Sequence, residues 1–301
     1  MGTRDWLVVI ALGTVWGSAF LAVEMLLFEM PPLWIGVGRT VVAGTACWAL
    51  VLAGGMPVPR RPAVILQMMG LGMLAYGVPF TLFPLAQQHL TGGVTAIVNA
   101  MVPINTIVIS HFFPGAEKAT RSKILGVALG FAGAYILAWP AIAVGAGDQI
   151  VGIVLTFTGT ATYALSLVLT PRVEPVHPSV FAATSITGAA LISVPVALIA
   201  EQVPGVPSLK ASLILLALGI AVTMMPLQVM YRLIPRIGPT NFSSIIFVVP
   251  AAAVILGIVV LGETITLTQL AGMLTIFAGL IVIDGRLMQK IMRRGIGPIS
   301  S

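Results

Sequence analysis

Ten apolar runs, each long enough to cross a bilayer and separated by breaks of a few residues, leave this chain one solvent in which it can fold. A membrane helix needs about 20 predominantly apolar residues. Runs of that kind lie near 5–28, 33–54, 63–87, 93–113, 121–139, 149–170, 179–200, 210–232, 239–261 and 267–288. The breaks carry the punctuation: Pro31-Pro32, Pro57 to Pro62, Gly92-Gly93, Pro114-Gly115 and Pro204 to Pro207. Only 8% of the residues are charged and the mean hydropathy is +1.08, against roughly a quarter charged in a soluble domain. The expected fold is an all-α polytopic membrane protein with ten transmembrane helices. The first run, Trp6 to Phe28, exceeds a signal-peptide core and lacks a small-residue cleavage site, so it reads as a retained helix.

Charge then orients the chain. Thirteen of the fifteen Lys and Arg residues fall on one predicted face: Arg4, Arg60, Arg61, Lys118, Arg121, Lys123, Arg172, Arg232, Arg236, Arg286, Lys290, Arg293 and Arg294. Lys210 alone falls on the other, and Arg39 lies inside a span. Positive residues collect on the cytoplasmic side, which predicts both termini in the cytoplasm and a plasma membrane of the bacterial inner-membrane type. The bases are dispersed between apolar runs, so the net charge of +6 does not point to nucleic acid.

Compared with itself at an offset of 147, the chain aligns Trp16 with Tyr163, Pro31 with Pro178, Gly72 with Gly219, Pro79 with Pro226 and Pro103 with Pro250. One slip to 146 then aligns Glu117 with Glu263, Gly126 with Gly272, Phe131 with Phe277 and Gly133 with Gly279. This divides the chain into five-helix repeats over 1–140 and 149–288, with a basic tail over 289–301. Five spans is an odd number, so the second repeat must insert upside down, a recurring plan of secondary transporters. Pro79, Pro103, Pro226 and Pro250 would bend their helices and free backbone carbonyls, making them candidate gating positions.

These residues carry a resemblance. Trp16-Gly17-Ser18, Arg39, Ala96 to Pro103, Glu117, Gly126 and Gly133, then Ser243 to Pro250, Gly262-Glu263, Gln269, Gly272 and Gly279 resemble the ten-helix EamA-type branch of the drug/metabolite transporter superfamily. Within it the chain is similar to YddG-like exporters of aromatic amino acids. The resemblance implies a monomer with a central cavity between its halves, alternating access, and a small-molecule substrate. Members often carry a basic residue near position 24, where this chain has Glu24.

Charge at membrane depth is costly and marks function by default. Glu24 lies roughly 6 Å and Arg39 roughly 10 Å from the same membrane face at 1.5 Å per residue, so the two are expected to pair across the first hairpin. Trp16, Tyr76, Phe80 and Tyr163, with Met224 and Met225 nearby, would supply apolar and aromatic walls. Arg39, Asn99, Gln228, Ser243 and Ser244 would bind a zwitterionic head. The expected function is export of amphipathic metabolites, aromatic or large neutral amino acids foremost, with lipophilic-cation efflux as the rival.

Other classes fit less well. Gly145-Ala-Gly-Asp148 spells an intramembrane protease motif, but Asp5 and Asp284, the other aspartates, fall at the opposite face and leave no second carboxylate for acid–base work. No ring of charges suggests a channel, and no phosphate loop suggests ATP. Cys47 is the only cysteine and His89, His111 and His177 are dispersed, so no metal site, cofactor or catalytic group is expected.

Overall fold

The structure is a computed structural model and describes residues 2–114, 120–143, 145–237, 242 and 245–284. Glu117, Asn241, Ser243, Ser244 and the tail over 289–301 lie outside the described residues. Among those described, eight helices are long and apolar enough to cross a membrane: α1 (Thr3–Leu27), α2 (Pro32–Ala53), α3 (Pro62–Ala86), α4 (Gly92–Phe112), α5 (Arg121–Ala143), α6 (Gly147–Arg172), α7 (Pro178–Ala200) and α8 (Leu209–Met230). Two shorter apolar helices follow, α9 (Ile245–Leu261) and α10 (Leu267–Ile283). Helix α8 continues through Ile237.

The breaks seen in the sequence start these helices. Pro32, Pro62 and Pro178 stand in the first turns of α2, α3 and α7, where a missing N–H costs nothing and the fixed φ suits a helix. Thr91 and Ser208 cap α4 and α8 by accepting from Val94 N at 3.3 Å and Ala211 N at 3.1 Å. Large apolar side chains such as Leu66, Ile199 and Val259 are 67%, 87% and 74% exposed. Surface of that kind is satisfied by lipid, as the composition requires.

The helix ends gather on two faces. On the N-terminal face Arg236 pairs with Asp5, Arg61 with Glu174 at 2.7 Å, and Arg172 donates to the Pro114 carbonyl at 2.8 Å. On the opposite face Glu201 accepts from Leu33 N, a free amide at the start of α2, and Glu29 accepts from Ser208 N.

Close approaches between helices repeat with the sequence. A Cβ on Gly126 would lie 2.6 Å from the Gly279 carbonyl, and one on Gly133 would lie 2.7 Å from the Gly272 carbonyl. The numbers rise on α5 as they fall on α10, so these helices run antiparallel. Thr40 meets Ser193 at 3.4 Å and Trp48 Nε1 donates to Thr187 at 2.8 Å, giving α2 and α7 the same opposed sense. Gly126, Gly133, Gly272 and Gly279 therefore serve close contact between helices of this chain.

The four singled-out prolines behave differently. A π-helical turn, Met73–Gly77, precedes Pro79, and a second, Ile220–Met224, precedes Pro226. These turns are 147 residues apart at both ends, the repeat offset itself. Pro103 follows an interruption of α4 at Ala100-Met101. Its mate Pro250 instead lies inside a continuous helical stretch, Ile245–Leu256, with a π turn only beyond it.

Candidate functional site: a guanidinium between two helix breaks

Arg39 projects from α2 to the two matched π turns. Its Nε donates to Thr223 Oγ1 at 3.0 Å, and Thr223 Oγ1 in turn donates to the Leu218 carbonyl at 2.8 Å. Its guanidinium carbon lies 3.6 Å from the centroid of the Phe80 ring, a stacking that holds a partly desolvated cation over an aromatic face. Tyr76, in the first π turn, packs beside Phe80 with ring centroids 5.6 Å apart. The outer Nη groups of Arg39 bond to no protein acceptor among the described residues.

The repeat explains this arrangement. Tyr76 and Thr223 occupy equivalent positions at the 147-residue offset, one in each π turn. Arg39 has no such mate; its counterpart is Ile186, fully buried in the core. A near-symmetric pair of breaks therefore surrounds one asymmetric charge. Thr223 was missed in the sequence, although its equivalence to Tyr76 was the signal that could have found it.

The remaining candidates divide. Gln228, further along α8, accepts from Ser179 Oγ at 2.6 Å, while its buried Nε2 has no partner among the described residues. Met224 packs with Tyr76 against the cluster of Ala43, Cys47 and Ile186, but Met225 is 54% exposed and faces away. Trp16 sits elsewhere, edge-on to Phe242 at 6.2 Å and against Leu12, Leu233 and Ile237. Asn99 and Tyr163 are half-buried on α4 and α6 and make no side-chain hydrogen bond among the described residues. Ser243 and Ser244 lie outside the described residues.

The expected pair of Glu24 with Arg39 does not form. Similar depth brings two groups near one layer of the bundle, but the rotation of each helix decides what they face. Glu24 turns toward α4 instead, accepting from Gly92 N at 2.7 Å, while the Glu263 carboxyl lies against the neighbouring Gly93. Glu263 is delivered there by a helix stop. Gly262, at φ +69°, ends α9 in the left-handed conformation, with Gly262 N bonding Ile258 O and Glu263 N bonding Gly257 O, each at 3.2 Å. That cap folds the Glu263 side chain back over Gly257, where any Cβ would collide with it.

Comparison with known proteins gives this build its class. The chain is 26% identical over 283 residues to the uncharacterized inner membrane transporter YedA of Escherichia coli K12, covering 92% of this chain and 89% of that one. It is 24% identical over 293 residues to a probable amino-acid metabolite efflux pump of Salmonella typhimurium, covering 94% and 95%. A crystal structure 18% identical in sequence superposes with a TM-score of 0.65 over 96% of this chain and 99% of its own, a likeness of fold. The protein is a membrane transporter. Over residues 5–139 and again over 150–284 it matches the EamA-like transporter family, and it belongs to that family.

Proposed function

We propose that this protein is a secondary transporter of the bacterial inner membrane that exports small amphipathic metabolites, above all aromatic or large neutral amino acids. The observation that carries this reading is Arg39, fixed through Nε and one ring face while its Nη edges meet no acceptor among the described residues. A guanidinium held this way offers paired donors to a carboxylate, and Tyr76 with Phe80 offers the neighbouring aromatic wall. The buried Nε2 of Gln228, without a partner among the described residues, adds a further donor. Asn99, Tyr163, Ser243 and Ser244 remain candidate contacts from the other helices.

Ten spans in two inverted five-helix repeats, both termini cytoplasmic, would let these halves rock about the site in alternating access. The antiparallel contacts of α5 with α10 and of α2 with α7 support that reading. So does the equal spacing of the two π turns, since such turns mark functional breaks in helices.

Export of lipophilic cations is the competing function, and a cation at the heart of the site disfavours it. Efflux from preloaded vesicles decides between them. Phenylalanine and tryptophan should leave saturably and compete with one another, while a lipophilic cation should not. Movement of the cation without movement or competition by the amino acids would overturn this assignment.

A further inference from the structure

Glu24 and Glu263 come from chain positions 239 residues apart and meet at the start of α4 with no basic partner among the described residues. Glu24 accepts from Gly92 N and Glu263 lies against Gly93; two carboxyls gathered on one turn without a cation can bond to each other only if one carries a hydrogen, because an ionised carboxylate only accepts. We propose that the Glu24 and Glu263 carboxyls share one proton, and that this proton latches the ends of α1 and α9 together at the face opposite the N-terminus.

The surroundings suit a proton. Gly92 N donates to Glu24 Oε2, and a Cβ on Gly93 would lie 3.4 Å from Glu263 Oε2, so the pair closes over the first turn of α4. That turn stabilises the one negative charge the protonated pair retains. Glu263 Oε1 is buried with no partner among the described residues. Beside it lies a cavity of about 10 Å³, lined by Glu263, Thr91, Thr264 and Gln269 among others, which is room for one water to carry the proton in or out.

A second acceptor waits next to the pair. Gln87 is 7% exposed; its Nε2 donates to the Phe20 carbonyl at 3.3 Å and its Oε1 has no partner among the described residues. Gly92 lies against both that carbonyl and the Glu24 carboxyl, so the Gln87 amide borders the pair. The contacts from α1, α4 and the α9–α10 turn bring no third titratable group to it among the described residues, and His89, in the α3–α4 turn, lies against Gly152 of α6. Its polar neighbours are Gln87, Thr91, Thr264 and Gln269.

The step balances simply. With one proton, Glu24 and Glu263 are joined by an O–H···O⁻ bond and carry a single charge. Loss of that proton to water leaves two carboxylates in contact, which repel and part the helix ends. Under the proposed orientation this face is the outer one, so acid outside would close it and alkali would release it.

The proton is detected without substrate, in the purified full chain in lipid nanodiscs. Infrared difference spectra recorded as pH rises should show the wild type losing a protonated-carboxyl band. E24Q and E263Q should each lack that band, and E24D should keep it at a shifted frequency. A wild type without the band, or a band surviving in both glutamine variants, overturns the proposal. Loss of the band on adding sodium chloride but not choline chloride at constant pH assigns the pair to a metal cation and also overturns it. For the latch, T264C in a C47S background should gain reactivity toward an impermeant maleimide several-fold more with rising pH than the same protein carrying E24Q. Equal gains in both overturn the latch. A failure of amino-acid efflux alters neither readout, so this inference and the substrate assignment fail separately.

Discussion

Arg39 reaches across the interface between the halves to Thr223, 184 residues away, and bonds to it at 3.0 Å. This bond ties α2 of the first repeat to the π turn of the second. Any motion that opens the site between the halves must lengthen it or carry both residues together.

Removing either partner should therefore be felt in transport. T223V leaves the Arg39 Nε unpaired at a cost of about 1–3 kcal/mol. R39Q should weaken amino-acid binding by about tenfold or more, having lost the charge that meets the carboxylate. R39K keeps the charge but not the planar fork and stacking face, and should recover only part of the loss. Efflux kinetics and substrate competition for the three variants and the T223V/R39Q double change test this. Additive losses in the double variant would show that the bond has no functional weight.

Tyr76 and Trp16, alike in the sequence, should separate in function. Tyr76→Ala strips the wall beside Arg39 and should weaken tryptophan efflux more than alanine efflux. Trp16 packs against Phe242, Leu12 and Ile237, so Trp16→Ala should lower stability, by about 3–5 kcal/mol if the cavity does not collapse, with little change in the tryptophan-to-alanine ratio. Thermal unfolding in detergent, alongside both efflux rates, distinguishes the two.

The paired glycines of α5 and α10 should tolerate no side chain. Gly133→Val places methyls where the Gly272 carbonyl and Ile276 already stand, and overpacking of this kind costs about 1–3 kcal/mol or more. Gly70, with open space around its Cα, is the control: Gly70→Ala should be near neutral or stabilising. Equal melting temperatures for Gly133→Val and wild type would disprove the close contact.

Topology has a direct readout. A reporter fused after Ser301 should be active only in its cytoplasmic form, and one inserted after Gly205 only in its periplasmic form. The opposite pattern would invert the proposed membrane orientation.

The helices themselves were legible in the sequence. Expected and observed ends agree within one or two residues for α1 to α4 and α7, because membrane burial is a local demand of about twenty apolar residues and Pro and Gly mark where it stops. Helix α5 extends further than expected, to Ala143, and carries Pro140 in its interior. The offset of 147 was legible too, and it located both breaks at Pro79 and Pro226. The π turns ahead of them had no signature of their own in residue type.

Which polar groups meet was another matter. Counting residues from a helix end gives depth, and depth alone put Glu24 beside Arg39. The direction each side chain faces depends on how the helices are rotated, and contacts between distant segments set that rotation: Gly126 on Gly279, Gly72 on the Ser185 backbone, Gly92 on Phe20. The sequence by itself thus determined the spans, the repeat and the rarity of buried charge. Only the tertiary structure gave Arg39 to Thr223 and Phe80, and Glu24 to Gly92 and Glu263, because those choices are made by packing across the bundle rather than along the chain.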